Sequence, residues 1–78
     1  MHVSRFDLNL FVVFDAIYTE GSLTRAAKVL ILAQPAVGHA LRRVRDRLDD
    51  PVFVRQGSRI VPAARARAMV SPVRHALG

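Results

Sequence analysis

Ser22-Leu23-Thr24-Arg25-Ala26-Ala27-Lys28-Val29-Leu30-Ile31-Leu32-Ala33-Gln34-Pro35-Ala36-Val37-Gly38-His39-Ala40-Leu41-Arg42-Arg43 is the stretch on which the fold turns. Ser22 supplies a side-chain acceptor in front of a short helix, Leu23 to about Leu30. Its inward face is Leu23, Ala26, Ala27 and Leu30, and the paired alanines let another helix approach closely. Ile31-Leu32-Ala33 makes a tight apolar turn. Gln34-Pro35 then starts a third helix over about residues 35–49, with proline in a first-turn position where its missing N–H costs nothing. At about 100° per residue, Val37, Ala40, Leu41, Val44 and Leu48 fall within an arc of roughly 100°. Gln34, Gly38, His39, Arg42, Arg43, Arg45 and Asp46 occupy the other side. Two helices joined by a three-residue turn, the second with a polar basic face, form a helix-turn-helix.

Upstream, Asp7 is a candidate N-cap for a first helix over about residues 8–19. Leu10, Phe11, Phe14, Ile17 and Tyr18 recur along it at three- and four-residue spacing, one face of a helix. Glu20-Gly21-Ser22 ends it, with Gly21 the C-terminal residue. Downstream, Asp49-Asp50-Pro51 stops the third helix. Val52-Phe53-Val54-Arg55 and Arg59-Ile60-Val61 read as two short strands around Gln56-Gly57-Ser58, a small hairpin. Pro62 leads into the alanine-rich, helix-prone Ala63-Ala64-Arg65-Ala66-Arg67-Ala68-Met69-Val70. Pro72 is a site for a kink, and the helical pattern is still running at Gly78.

Seventy-eight residues make one small domain, which buries only about 60% of the surface its unfolded chain exposes. There are no cysteines, so neither disulfides nor a cysteine-ligated zinc can hold it together. The longest apolar run, Val29 to Ala33, is far short of the roughly 20 residues of a membrane span. Asp7 and Asp15 among the N-terminal apolar residues do not fit a signal peptide. A soluble, cytoplasmic protein is expected. The formal net charge is +6, and it is unevenly spread. Residues 1–20 set Arg5 against Asp7, Asp15 and Glu20, whereas residues 21–78 hold eleven basic and three acidic side chains. That surface suits a polyanion such as a phosphate backbone. On charge alone, an ordinary solvated basic face fits equally well.

The third helix separates those readings. The major groove of B-DNA admits one helix and displays donors and acceptors on base edges. A helix entering it needs short or amide side chains at its N-terminal end and arginines on its flanks for phosphates. Gln34, Pro35, Ala36 and Gly38 come first here, followed by Arg42, Arg43 and Arg45. The other chemistry-bearing residues carry less. His2, His39 and His75 lack metal spacing. Ser71 and His75 are four apart with no acidic residue near them in sequence to orient the histidine. There is no glycine-rich phosphate loop. Neither a cofactor nor an enzymatic activity is expected. Leu10, Phe11, Phe14 and Ile17 read as core, Met69 as core or dimer interface, and Arg65 and Arg67 as solvating residues of the last helix, with phosphate contact at its start as the alternative.

The order of these pieces resembles the N-terminal domain of LysR-type transcriptional regulators. The resemblance runs through Ser22-Leu23-Thr24-Arg25-Ala26-Ala27, Leu30, Gln34-Pro35-Ala36-Val37 and His39-Ala40-Leu41-Arg42-Arg43. Asp50-Pro51-Val52-Phe53-Val54-Arg55, Val61-Pro62, Asp7-Leu8-Asn9-Leu10 and Phe14-Asp15 extend it over nearly the whole chain. It implies a mainly α, winged helix-turn-helix fold: a three-helix core, a short β-hairpin wing and the start of a linker helix. Residues 1–62 would be the DNA-binding domain and 63–78 the start of the linker and dimerisation helix. Such a protein is a bacterial homodimer, or a tetramer at full length. It binds approximately palindromic double-stranded DNA operators and carries a separate effector-binding domain for a small molecule. That domain is expected outside these residues.

The same resemblance assigns roles. Gln34, Pro35 and His39 would reach bases, and Ala36 could touch a thymine methyl group. Ser22, Thr24, Arg42 and Arg43 would position phosphates, with Arg55 and Arg59 on or beside the wing. The first helix and the segment from Pro62 onward would form the dimer contact. Three residues depart from the family pattern: Ala33 and Gly38 stand where serine or threonine is usual, and Ala63 where threonine often follows the wing proline. Each replacement removes a hydroxyl that could cap a helix or meet a phosphate. Two other classes remain open at this stage. A helix-turn-helix also occurs in DNA-processing enzymes, whose chemistry would lie outside this stretch, and in protein-interaction modules that never touch DNA.

Overall fold

The computed structural model describes residues 2–78, with side chains described from Asn9 onward. Four helices and one hairpin follow in chain order: α1 (His2–Glu20), α2 (Leu23–Leu30), α3 (Gln34–Leu48), β1 (Phe53–Gln56), β2 (Arg59–Pro62) and α4 (Ala64–Leu77). The first helix starts earlier than the sequence suggests, so Asp7 lies within it and does not cap it. No glycine or proline occurs between His2 and Glu20, and helix propagation has no reason to stop at Asp7. The Asp7 side chain and the surface reading of His2 lie outside the described residues.

The turns form as their residues dictate. Gly21 takes φ +66° and donates its N–H to the Ile17 carbonyl at 2.9 Å, a left-handed helix end that suits glycine. Ser22 caps α2, its Oγ accepting from Arg25 N at 3.2 Å. At the other end of α2, Ile31 N donates to Lys28 O and Leu32 N to Ala27 O. The second of these bonds is the long 6→1 bond of a Schellman ending. Its left-handed residue is Ile31, at φ 57° and ψ 50°, a conformation that β-branched side chains disfavour. Three residues then lead directly into α3.

The core forms where α1, α3 and the base of the hairpin meet. Phe14, Ile17, Val37, Val52 and Phe53 are the largest fully buried side chains. Each contributes about 1.5–3 kcal/mol by leaving water. The Phe14 ring packs in tilted contact with Phe53 and Tyr18, with ring centroids 5.4 Å and 5.9 Å apart. Ala26 and Ala27 are buried as expected, with Leu23 and Leu30 packed at the edge of the same cluster. Along α3, Val37, Leu41 and Val44 are buried.

The hairpin pairs Phe53 with Pro62, Val54 with Val61, Arg55 with Ile60 and Gln56 with Arg59. Gly57 at φ +63° opens its two-residue loop. Val52 is not part of β1. It holds φ 66° at the centre of a turn in which Phe53 N donates to Pro51 O at 2.6 Å. The Asp50 carboxylate accepts from Val52 N at 2.8 Å and secures that turn. Beyond β2, Ala63 stands at the N-cap of α4 with no side-chain cap bond. Arg67 is not merely solvating: its Nη1 donates to Pro62 O at 2.8 Å. Pro72 lies within α4, and Ala66 and Val73 face inward. Arg74 ties α4 to α1, donating to Asp15 Oδ1 at 2.7 Å and Thr19 Oγ1 at 2.9 Å and lying 5.5 Å over the Tyr18 ring. The result is a winged helix-turn-helix, the wing being β1–β2.

Candidate nucleic-acid interface

One side of α3 is uncovered in the structure. Gln34, Pro35, Ala36, His39, Arg42 and Arg43 are all exposed there, and Gly38 is half-buried. The reason is the helical period. With the buried arc taken up by Val37, Leu41 and Val44, Pro35, His39 and Arg42 fall near the middle of the opposite arc. Imidazole and guanidinium groups thus share a face roughly one helix wide, with the Gln34 amide exposed beside it at the helix start, suited to hydrogen bonding with a polyanion and with base edges.

The N-terminal end of this face is set by α2. Thr24 Oγ1 donates to Gln34 Oε1 at 3.1 Å, joining two predicted site residues from consecutive helices. Ala33 is the N-cap of α3, at φ −70° and ψ 144°, and offers no side-chain cap bond. A Cβ added at Gly38 meets nothing within 4 Å, so the missing side chain is not a steric requirement. Both departures from the family pattern are therefore open positions.

The wing is held against the same N-terminal end of α2. Ile60 N donates to Gly21 O at 3.0 Å, which docks β2 on the corner between α1 and α2. Glu20, Gly21, Ser22, Arg25, Ser58 and Arg59 line a polar notch at that junction. Ser22 and Arg59, predicted separately, are brought together there. Arg55 is not. It pairs with Ile60, whereas Arg59 pairs with Gln56, and side chains of successive pairs stand on opposite faces of a hairpin. Arg55 and Arg59 therefore serve different sides of the wing.

Two arginines change roles. Arg45, expected beside Arg42 and Arg43 on the phosphate-facing flank, donates from Nε to Pro51 O at 2.7 Å and from Nη2 to Phe53 O at 2.9 Å. The helical period puts it next to the buried arc, close enough to fold onto the chain entering the wing. Its work is structural. Arg25, which sequence reasoning passed over, is exposed and lines the notch with Arg59. Its place three residues after the Ser22 cap, on the uncovered side of α2, was the available signal. Among the described residues there is no cluster of metal-ligating side chains and no helix long and apolar enough to cross a membrane.

Comparison with known proteins agrees with this architecture. Residues 8–67 match the model of the bacterial regulatory helix-turn-helix protein, lysR family. The chain is 49% identical over 71 residues to the HTH-type transcriptional regulator LeuO of Escherichia coli (strain K12), covering 91% of this chain and 23% of LeuO. It thus spans about a quarter of the length of such relatives. A probable transcriptional regulator from Pseudomonas aeruginosa superposes with a TM-score of 0.88 at 44% identity, covering 96% of this chain and 25% of that one. A CbnR DNA-binding domain crystallised with DNA has the same fold, with a TM-score of 0.85 at 23% identity over 90% of this chain and 80% of that one. The matched segment spans most of the chain, and the chain belongs to the LysR family of bacterial regulatory helix-turn-helix proteins.

Proposed function

We propose that residues 1–62 read double-stranded DNA by inserting α3 into the major groove, with the wing on the flanking backbone. The observation that carries this reading is the uncovered face of α3, where Pro35, His39, Arg42 and Arg43 stand exposed together, with Gln34 exposed at the helix start. Gln34, Pro35, Ala36, Gly38 and His39 lie at the end of the helix that would enter the groove first. Arg42 and Arg43 follow, and with Ser22, Arg25 and Arg59 they meet phosphates on either side. Arg55 approaches from the other face of the wing. The DNA in the CbnR structure supports this reading for a domain of the same fold.

The regulator is a homodimer, with a tetramer at full length, on an operator of approximate two-fold symmetry. Helix α1 and the linker segment 63–78 form the contact. Val12 on α1 and Leu77 on α4 support this, both large hydrophobic side chains left exposed along one groove. A small-molecule effector acts through a separate domain of the longer regulator, and the protein works in the cytoplasm without enzymatic activity.

The test separates base reading from phosphate contact. Gln34→Ala relaxes preference at one base pair while leaving random-duplex binding nearly unchanged. Arg42→Ala weakens binding to all sequences and lowers the salt slope by about one. Equal losses on specific and random duplex for both variants would refute this division of labour.

A further inference from the structure

We propose that Thr24 is a positioning residue for Gln34: its hydroxyl fixes the Gln34 amide so that the N–H2 end faces the DNA. The inference rests on the proposed reading of bases by α3, and it gives Thr24 a role other than phosphate contact. The hydrogen bond runs from the second residue of α2 to the first residue of α3, from Thr24 Oγ1 to Gln34 Oε1 at 3.1 Å. The neighbours of Gln34 in sequence offer the amide no alternative partner. Ala33 before it is a cap without a polar side chain, and Pro35 after it offers no N–H.

A free glutamine side chain at an exposed helix start rotates about its torsions and can present either its oxygen or its nitrogen. These are opposite chemistries in the major groove. Guanine N7 and O6, adenine N7 and thymine O4 accept, whereas cytosine N4 and adenine N6 donate. With Oε1 engaged by Thr24, the two N–H bonds of Nε2 are left for an acceptor edge. The hydroxyl proton of Thr24 is then committed within the protein and is not available to a phosphate oxygen. The turn between them is tightly specified, with Ile31 and Leu32 bonded back to Lys28 and Ala27, so the separation of Thr24 and Gln34 is fixed before DNA arrives.

The experiment is selection from randomised duplexes with the 78-residue chain and its Thr24→Val, Thr24→Ser and Gln34→Ala variants. Gln34→Ala identifies the base pair that depends on the amide. At that pair, Thr24→Val loses roughly five-fold or more of the wild-type discrimination, the scale of one good base contact, while Thr24→Ser retains it. Affinity for random duplex and its salt slope stay at wild-type values in both Thr24 variants, and so does the melting temperature. Unchanged discrimination in Thr24→Val overturns the proposal. So does a uniform loss on all duplexes with a shallower salt slope, which is the signature of a phosphate contact. If Gln34→Ala relaxes no position, base reading by Gln34 itself fails, an outcome distinct from either.

Discussion

Arg45 and Pro51 are joined across the junction of α3 and the wing, Nε to carbonyl at 2.7 Å. The same guanidinium reaches the Phe53 carbonyl at 2.9 Å. The two carbonyls flank Val52, whose positive φ would otherwise be hard to maintain. A planar fork with fixed donor spacing is suited to such a pair, and a lysine ammonium is not. The helix that faces outward with Arg42 thus sets the entry to the wing with Arg45.

Arg45→Ala should therefore destabilise the fold by about 2 kcal/mol, the scale of hydrogen bonds from a charged donor. Arg45→Lys should recover less than half of that loss. Urea denaturation followed by circular dichroism measures both. Wild-type stability in Arg45→Ala would return this residue to the DNA-facing set.

The uncapped start of α3 gives an opposite prediction. Ala33 already has extended cap geometry, so Ala33→Ser supplies the acceptor without moving the backbone and should stabilise by about 1 kcal/mol. Gly38→Ser enters open space and removes a helix-interior glycine, worth a few tenths of a kcal/mol. Thermal melts of the single and double variants test both gains. A neutral or destabilising Ala33→Ser would mean that the α3 N-terminus is organised differently.

Ile31 and Val52 are both β-branched residues at positive φ, yet substitution should act on them in opposite directions. Ile31 is 89% exposed, so Ile31→Asn relieves left-handed strain at little packing cost and should stabilise by about 1 kcal/mol. Val52 is 0% exposed, so Val52→Gly relieves strain but loses a buried side chain worth about 1.5–3 kcal/mol. It should be destabilising on balance. Comparing the two urea midpoints decides whether burial outweighs conformation at Val52.

The exposed apolar side chains of α1 and α4 carry the expectation of self-association. Val12→Lys and Leu77→Lys should shift the chain toward monomer in sedimentation velocity while leaving its melting temperature within a few degrees. An unchanged sedimentation profile in a dimeric wild type would take this groove out of the subunit contact.

Much of this was readable from local residue chemistry. The Ser22 cap, the Gly21 helix end, the Gly57 hairpin and the one-sided apolar pattern of α3 each depend on residues close in sequence. The structure reproduces them. Where the reading failed, tertiary contacts decided. Val52 looks like a strand residue, but the Asp50 carboxylate and the Arg45 fork hold the chain in a turn there. Arg45 looks like its neighbours Arg42 and Arg43 until Pro51 and Phe53 are brought beneath it. Asp7 has the chemistry of a cap, but no residue before it breaks the helix. Thr24 and Gln34 were both singled out, although their bond to each other depends on the geometry of the turn between their helices.

The central claim is that α3 reads sequence as one half of a symmetric pair. The most direct measurement is selection of the 78-residue chain against a pool of randomised duplexes, followed by sequencing of the bound fraction. Enrichment of two inverted half-sites, separated by about 10 base pairs or a multiple of that, is the predicted result. Salt-sensitive binding with no enriched sequence would contradict it, leaving the basic surface as a general phosphate binder and α3 without a reading role.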